Sequence, residues 1–203
     1  MSENETTQTN AMEKALSADP AALGLMAFAF TTFLLSFINA GIIPEAGGLD
    51  VVIPLALVWG GITQLICGAF EMRRGNTFGF TAFSSYGAFW MFVSLMLIFN
   101  NLGIITISDL AFGFSLLLWG VFSFLMWLYA MQANLTLNLT FLCLWLALFF
   151  LGIGDMSGFV TMNLIGGYLG IGSGCFAMYT GFAILMNSAK PGRFPLGPGI
   201  GKK

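Results

Sequence analysis

The chain is a series of long apolar stretches separated by short polar breaks. A membrane-spanning helix needs roughly 20 mostly apolar residues. The breaks contain proline, glycine, asparagine or charged residues, which favour loops and helix ends. The pattern predicts six membrane-spanning helices, over residues 22–43, 51–70, 79–99, 110–131, 138–153 and 163–187.

Composition excludes the two main alternatives to a membrane protein. Hydrophobic residues make up 58% of the 203 residues, and charged residues only 8%. The mean hydropathy is +0.89. A soluble domain has about a quarter charged residues, and a disordered chain has low hydrophobicity and high charge. We therefore predict an all-α integral membrane protein with an N-terminal tail over 1–21, one six-helix membrane domain over 22–187 and a C-terminal tail over 188–203.

The basic residues indicate how the chain is oriented. With six spans, all seven lie in the N-terminal tail, the loop after the second span or the C-terminal tail. The loops on the opposite side carry Glu45, Asp50 and Asp109 and no Lys or Arg. Because basic loops stay in the cytoplasm, we predict a multi-pass protein of the plasma membrane with both termini cytoplasmic.

Several kinds of chemistry are disfavoured by the sequence. The net charge of −2 gives no basic surface for nucleic acid. Histidine is absent, and Cys67, Cys143 and Cys175 are far apart in apolar runs. We therefore expect no metal site, no cofactor, no catalytic residue and no nucleic-acid partner. The expected surroundings are the lipid bilayer.

Polar residues inside the spans recur at helical spacing and form three stripes. Such residues are costly in a membrane and usually face protein or water. Pore lining and hydrogen bonding between helices both explain them. A lining without Lys or Arg suits small carboxylates, neutral solutes such as urea or ammonia, and water. The stripes are Phe28, Thr32, Ser36 and Asn39 on the first span, Gln64, Cys67 or Gly68, and Glu71 on the second, and Thr140, Leu144, Leu148 and Asp155 on the fifth.

The sixth span carries a row of glycines. Gly166, Gly170 and Gly174 are four residues apart and form one face. Small residues at this spacing let another helix approach closely. We interpret the face as helix packing, either within one protomer or between protomers.

Four sequence blocks resemble signatures of the acetate uptake transporter family. The segment from Asp19 to Phe28 is similar to its N-P-A-P-L-G-L motif, and Gly75–Gly79 with Ser85–Trp90 matches its second motif almost unbroken. Leu118–Phe122 and the glycine face of the sixth span also match. The resemblance covers about residues 19–187, the whole membrane domain.

The resemblance implies a fold, a substrate class and a gate. Its fold is six helices per protomer, with one pore in each protomer of a ring-shaped homohexamer. The implied function is transport of acetate and related small carboxylates, with succinate as a further substrate, so the chain is not expected to be an enzyme. The family's narrow constriction falls on Phe28, Tyr86 and Leu144.

Further pathway residues follow from the stripes and motifs together. We assign pore lining and substrate binding to Thr32, Asn39, Gln64, Asn76, Thr77, Thr81 and Ala177. Glu71 and Asp155 are candidates for proton linkage, although a cytoplasmic surface ion pair with Arg73 and Arg74 explains Glu71 more simply.

Three departures from the family pattern bear on proton coupling. Asp19 and Asp155 stand where asparagine is usual, and Ile38 stands where bacterial relatives often have histidine. The missing histidine prevents us from assigning the proton route residue by residue. We predict proton-coupled transport. The alternatives are a passive channel for small anions or neutral solutes such as urea, and a membrane sensor that does not transport.

Overall fold

The computed structural model describes residues 18–200, and it contains six helices that are long and apolar enough to cross a membrane. This confirms the predicted all-α, six-helix fold, and no strand occurs between residues 18 and 200. The helices are α1 (Pro20–Asn39), α2 (Glu45–Arg73), α3 (Thr77–Asn101), α4 (Asp109–Ala133), α5 (Leu135–Ser157) and α6 (Val160–Ala189).

The helix boundaries differ from the apolar stretches at several ends. α1 ends at Asn39 rather than at residue 43, because the chain turns at Gly41, where φ is +70°. α5 begins before residue 138, since the Asn134 side chain accepts a hydrogen bond from the Leu137 amide at 2.9 Å and caps the helix. It also continues past the predicted end at 153, as far as Ser157. A hydropathy pattern does not predict these helix ends, because many of the residues there are polar or small. The basic residues of the two tails that lie at 14, 202 and 203 are outside the described residues.

α2 contains a segment of different helical geometry. Residues Ala56–Thr63 form a π-helix, and Pro54 lies one residue before Leu55, where the segment is capped. Pro54 has no amide hydrogen to donate within the helix, which disturbs the regular α-helical bonding. The wider turn places Gly60 where an added Cβ would meet the side chains of Thr31 and Trp90. The π segment therefore brings the α2 backbone close to both α1 and α3.

The helices form a ring in chain order. α1 packs on α2 and α6, α5 packs on α4 and α6, and α3 packs on α2. The ring closes between α3 and α4, where few backbone segments approach each other. We call this contact the α3–α4 seam. At this seam the two backbones stay further apart than at the other interfaces between consecutive helices, and aromatic side chains fill the space.

Buried hydrogen bonds tie the other half of the ring together. The Ser173 hydroxyl of α6 donates to the Thr140 carbonyl of α5 at 2.9 Å. The Trp127 indole of α4 donates to Asn138 Oδ1 of α5 at 2.7 Å. Such bonds satisfy polar groups that have no water partner in the hydrocarbon core. α4, α5 and α6 are thereby held as one block.

The glycine face of α6 packs inside the protomer. An added Cβ at Gly166 would meet Leu151 of α5, whereas Gly170 faces Ser36 and Gly174 faces the Phe33 ring of α1. This answers the question that the spacing left open, since none of the three glycines is free for contact with another protomer. Gly167 makes a closer approach, because its Cβ would meet the α1 backbone at Asn39 and Ala40.

Replacing Gly167 by alanine is expected to destabilise the bundle. The new methyl group would collide with backbone, which cannot rotate away, and overpacking of this kind costs about 1–3 kcal/mol. Gly172→Ala is the matched control, because its Cβ would meet only the Cys143 side chain, with the sulfur at 3.4 Å. Thermal unfolding in detergent should show a lower midpoint for Gly167→Ala and an unchanged or higher midpoint for Gly172→Ala. Equal midpoints would contradict this packing.

The segment after α6 folds back on the bundle, and we call residues 190–200 the C-terminal strap. The Thr136 amide donates to the Leu196 carbonyl at 3.1 Å, and the Ile200 amide donates to the Met131 carbonyl at 2.7 Å. The Tyr179 hydroxyl donates to the Pro195 carbonyl at 2.8 Å. The strap thus satisfies an amide in the first turn of α5, which has no partner within that helix.

Candidate functional site

Two cavities lie inside the helix ring, on either side of its middle. The wide cavity has a volume of about 490 Å³ and extends to the ends of α1 and α5, where Asn39 and Asp155 line it. The narrow cavity has a volume of about 110 Å³ and extends to the opposite end of the bundle, where Ala21 and Ile184 line it. Together the two cavities follow the axis of the ring.

The two cavities meet at three side chains. Phe28, Tyr86 and Leu144 are the residues that line both of them. The side chains come from α1, α3 and α5 and are 5%, 4% and 7% exposed, so all three are buried where the two cavities adjoin. The ring centroids of Phe28 and Tyr86 are 5.9 Å apart, with the planes tilted by 59°. We call these three residues the constriction.

The predicted stripes lie along the cavity walls. Thr32, Ser36 and Asn39 of α1 line the wide cavity beyond Phe28. On α5, Thr140 lines the narrow cavity, and Leu148 lines the wide one. The walls follow the stripes because residues three or four positions apart share one helix face.

The wide cavity has an acidic end. Asp155 lines it together with Glu45 and Asn163, and Asp155 Oδ1 accepts a hydrogen bond from Asn163 Nδ2 at 3.2 Å. Deeper in the cavity wall, the Thr32 hydroxyl and the Trp90 indole N–H are buried without a protein partner in residues 18–200. A carboxylate that reaches this level would find donors there.

The narrow cavity is lined by an amide and a carboxyl group. Gln64 and Glu71 are each 1% exposed, and each has a side-chain oxygen without a protein partner in the part of the chain that the structure describes. The other Glu71 oxygen accepts from Asn76 Nδ2 at 2.8 Å. Asn76 also caps α3 by accepting from the Gly79 amide at 3.1 Å. The cavity therefore offers acceptor oxygens to a hydrogen-bond donor.

The interpretation of Glu71 as a surface ion pair is wrong. Its side chain faces the narrow cavity, and Arg74 instead forms an ion pair with Asp19 at 2.9 Å. Asp19 also caps α1 by accepting from the Ala21 amide at 2.9 Å. The sequence places Glu71 near Arg73 and Arg74, but its position on the helix turns its side chain to the bundle interior. An aspartate at position 19 thus supplies both a helix cap and a partner for Arg74.

Three of the predicted pathway residues do not line either cavity. Thr77 is exposed and Thr81 is half-buried. Both lie away from the α3 face that carries Gly79 and Tyr86, because a shift of two residues rotates a side chain by about 200°. Ala177 is fully buried in the core, one turn from Thr180, which lines the narrow cavity.

The charges along the cavities are all acidic. Among residues 18–200, the lining includes Glu45, Asp155 and Glu71 but no Lys or Arg. Within the same range, no group of three His, Cys, Asp or Glu side chains is placed to hold a metal ion. Fixed positive charge therefore does not contribute to either wall, and a carboxylate must rely on uncharged donors.

Sequence reasoning missed the surroundings of Tyr86. The Tyr86 hydroxyl and Ser123 Oγ are 2.8 Å apart and share a hydrogen bond. The Tyr86 ring also contacts Trp119, Phe122 and Phe141, with centroids 6.3, 5.6 and 6.0 Å away. One signal was present in the sequence, because Ser123 is the one hydroxyl residue between positions 116 and 128 and lies one turn after Trp119.

Comparison with known proteins identifies relatives of the whole six-helix chain. The chain is 34% identical to the succinate-acetate/proton symporter SatP of Escherichia coli K12, over 84% of this chain and 89% of that one. It is 37% identical to acetate permease A of Emericella nidulans, over 85% of this chain and 63% of that one. The solved structure of the bacterial acetate channel SatP matches with a TM-score of 0.83 at 34% identity, covering 89% of this chain and 99% of that chain. The sequence model of the GPR1/FUN34/yaaH family matches residues 3–191, and the chain therefore belongs to this family of membrane proteins.

Proposed function

We propose that the protein transports acetate and related small carboxylates, with succinate as a further candidate. The path runs through the wide cavity, the constriction and the narrow cavity. The observation that carries the proposal is a pair of axial cavities that share Phe28, Tyr86 and Leu144 in their walls, among residues 18–200. The names of the E. coli and Emericella relatives support acetate as the substrate.

The constriction selects by size and by hydration. Its three side chains offer an apolar edge on every side, apart from the Tyr86 hydroxyl, which is bonded to Ser123. A solute must leave most of its water behind to pass, and this is costly for a strongly hydrated ion. A methyl group in contact with the apolar ring offsets part of that cost for acetate.

The polar groups in the two cavities suit different protonation states of the substrate. In the wide cavity, the unpaired Thr32 hydroxyl and Trp90 N–H suit a carboxylate, which only accepts. In the narrow cavity, the unpaired oxygens of Gln64 and Glu71 suit the O–H of an undissociated acid or a water molecule. Asn39 contributes an amide at the far end of the wide cavity.

We assign the proton-linked role to Glu71 rather than to Asp155. Glu71 is buried in the wall of the narrow cavity and bonds Asn76, and no basic side chain pairs with it among the described residues. A carboxyl group in this position can bind and release a proton without breaking an ion pair. Asp155 lies at the acidic end of the wide cavity and bonds Asn163, so it has a smaller role.

We place the protein in the plasma membrane as a ring-shaped homohexamer with both termini cytoplasmic. The outer face of α4 supports assembly or lipid contact, since Phe114, Leu118 and Leu125 are 53%, 71% and 57% exposed. The basic side chains of Arg73, Arg74 and Lys190 lie at the end of the bundle that we place in the cytoplasm. Native mass spectrometry and labelling of single cysteines in each loop would test both assignments.

A passive channel for small anions is the second candidate. It is favoured by the match to the solved SatP structure, because that protein is described as an acetate channel. The cavity lining is compatible with either mechanism, since a carrier and a channel can share a binding path. The two differ in which gradient drives the solute.

Labelled acetate uptake into proteoliposomes separates these candidates. We expect the initial rate, after subtraction of protein-free vesicles, to rise when the inside is alkaline and the membrane potential is clamped to zero. An imposed potential without a pH gradient should leave the rate unchanged. A rate that follows the potential and ignores the pH gradient would establish an anion channel. Rates equal to those of protein-free vesicles would overturn transport of acetate.

A further inference from the structure

The α3–α4 seam is joined at the level of the constriction by one hydrogen bond. The Tyr86 hydroxyl of α3 and Ser123 Oγ of α4 are 2.8 Å apart, and either hydroxyl can donate. Tyr86 is 4% exposed and Ser123 is fully buried, so water does not compete for this bond. The two backbones approach each other little elsewhere, and aromatic pairs fill the gap, with Phe78 and Tyr129 at a centroid distance of 4.4 Å and Phe89 and Trp119 at 5.0 Å.

The bond holds the tip of a side chain whose ring is otherwise fixed only by apolar contacts. Phe28, Phe122 and Phe141 surround the Tyr86 ring at centroid distances of 5.9, 5.6 and 6.0 Å. Contacts between aromatic rings tolerate sliding and tilting, whereas a hydrogen bond fixes both distance and direction. The tilt of the ring decides how far it projects between Phe28 and Leu144.

We propose that Ser123 is a positioning residue that sets the aperture of the constriction by holding the Tyr86 hydroxyl across the α3–α4 seam. Ser123 lines neither cavity, so it acts on the solute only through Tyr86. Loss of the bond lets the Tyr86 ring tilt within its aromatic surroundings, which widens the path for bulkier acids. This inference rests on the proposed transport function.

Ser123→Ala tests the inference by its effect on selectivity. We measure initial uptake of butyrate and of acetate into the same proteoliposomes and compare the ratio of the two rates. Because an interhelical hydrogen bond in a membrane shifts an equilibrium by about threefold on average, we expect the ratio to rise by about threefold. Tyr86→Phe should raise it similarly, and the double variant should do no more than either single one, since all three lack the same bond.

Ser94→Ala is the matched control. Ser94 is also fully buried on α3, and its hydroxyl donates to the Ile53 carbonyl at 2.8 Å, away from both cavities. A merely structural effect lowers the amount of active protein and changes both rates equally, so the ratio stays constant. We expect this constant ratio for Ser94→Ala and the raised ratio for Ser123→Ala.

The outcomes of these measurements distinguish this inference from the proposed function. An unchanged ratio in Ser123→Ala, together with a raised ratio in Tyr86→Ala, would overturn the positioning role while leaving the constriction in place. Additive effects of Ser123→Ala and Tyr86→Phe would also overturn it. Absence of protein-dependent acetate uptake in the unsubstituted protein would instead remove the proposed function.

Discussion

Leu144→Ala is expected to admit acids that the unsubstituted protein excludes. The side chain is 7% exposed and forms one of the three edges of the constriction. One methylene group in a shaped apolar site discriminates by roughly 10- to 200-fold. Removing most of the leucine side chain should therefore raise the ratio of butyrate to acetate uptake by about tenfold or more. Initial rates in proteoliposomes measure this ratio.

Leu148→Ala controls for the loss of a buried leucine. Leu148 lies one turn further along α5, is 6% exposed and lines only the wide cavity. Both substitutions leave a similar void and should lower stability by a similar amount, about 2–5 kcal/mol. Only Leu144→Ala should change selectivity. A similar change in both variants would place the narrowest point elsewhere.

Glu71→Gln is expected to uncouple uptake from the pH gradient. The glutamine side chain can keep the hydrogen bond from Asn76 but has no group that titrates. One pH unit supplies about 1.4 kcal/mol, which is a factor of about ten in accumulation for one proton per acetate. The variant should lose this protein-dependent factor. Uptake with the inside alkaline, compared with uptake at equal pH, measures the loss.

Asp109→Asn provides the corresponding control for removal of an acidic group. Asp109 is exposed at the start of α4 and lines neither cavity. We expect this variant to respond to the pH gradient as the unsubstituted protein does. If Glu71→Gln also keeps the full response, the proton-linked group is not Glu71, and Asp155→Asn becomes the next variant to measure.

Periodic features of the site were predictable from the sequence. The stripe from Phe28 to Asn39 faces the wide cavity because residues three or four positions apart lie on the same face of a straight helix. The same reasoning placed Thr140 and Asp155 on the α5 wall. The six helices followed from long apolar runs, since the bilayer thickness sets the length of a span.

Features that depend on irregular backbone or distant partners were not predictable. The π segment of α2 cannot be recognised in the hydrophobic pattern, because the stretch is mostly apolar. The segment nevertheless sets how closely Gly60 approaches Trp90. The ion pair of Arg74 was not predictable either, because its partner Asp19 lies far along the chain. Thr77 and Thr81 belong to the same sequence motif as Tyr86 but lie on another face of α3. A motif alone does not indicate which of its residues face the cavity.

The C-terminal strap imposes an order on biosynthesis. Helices enter the membrane in chain order, so α4 and α5 are in place before α6 and the strap have been made. The Thr136 amide gains its partner at Leu196, and the Met131 carbonyl gains its partner at Ile200, only after α6 has been inserted. Until then the turn between α4 and α5 has open hydrogen-bonding groups at the membrane surface. Closure of this turn therefore depends on the insertion of α6, which couples the α4–α5 turn to the last helix of the bundle.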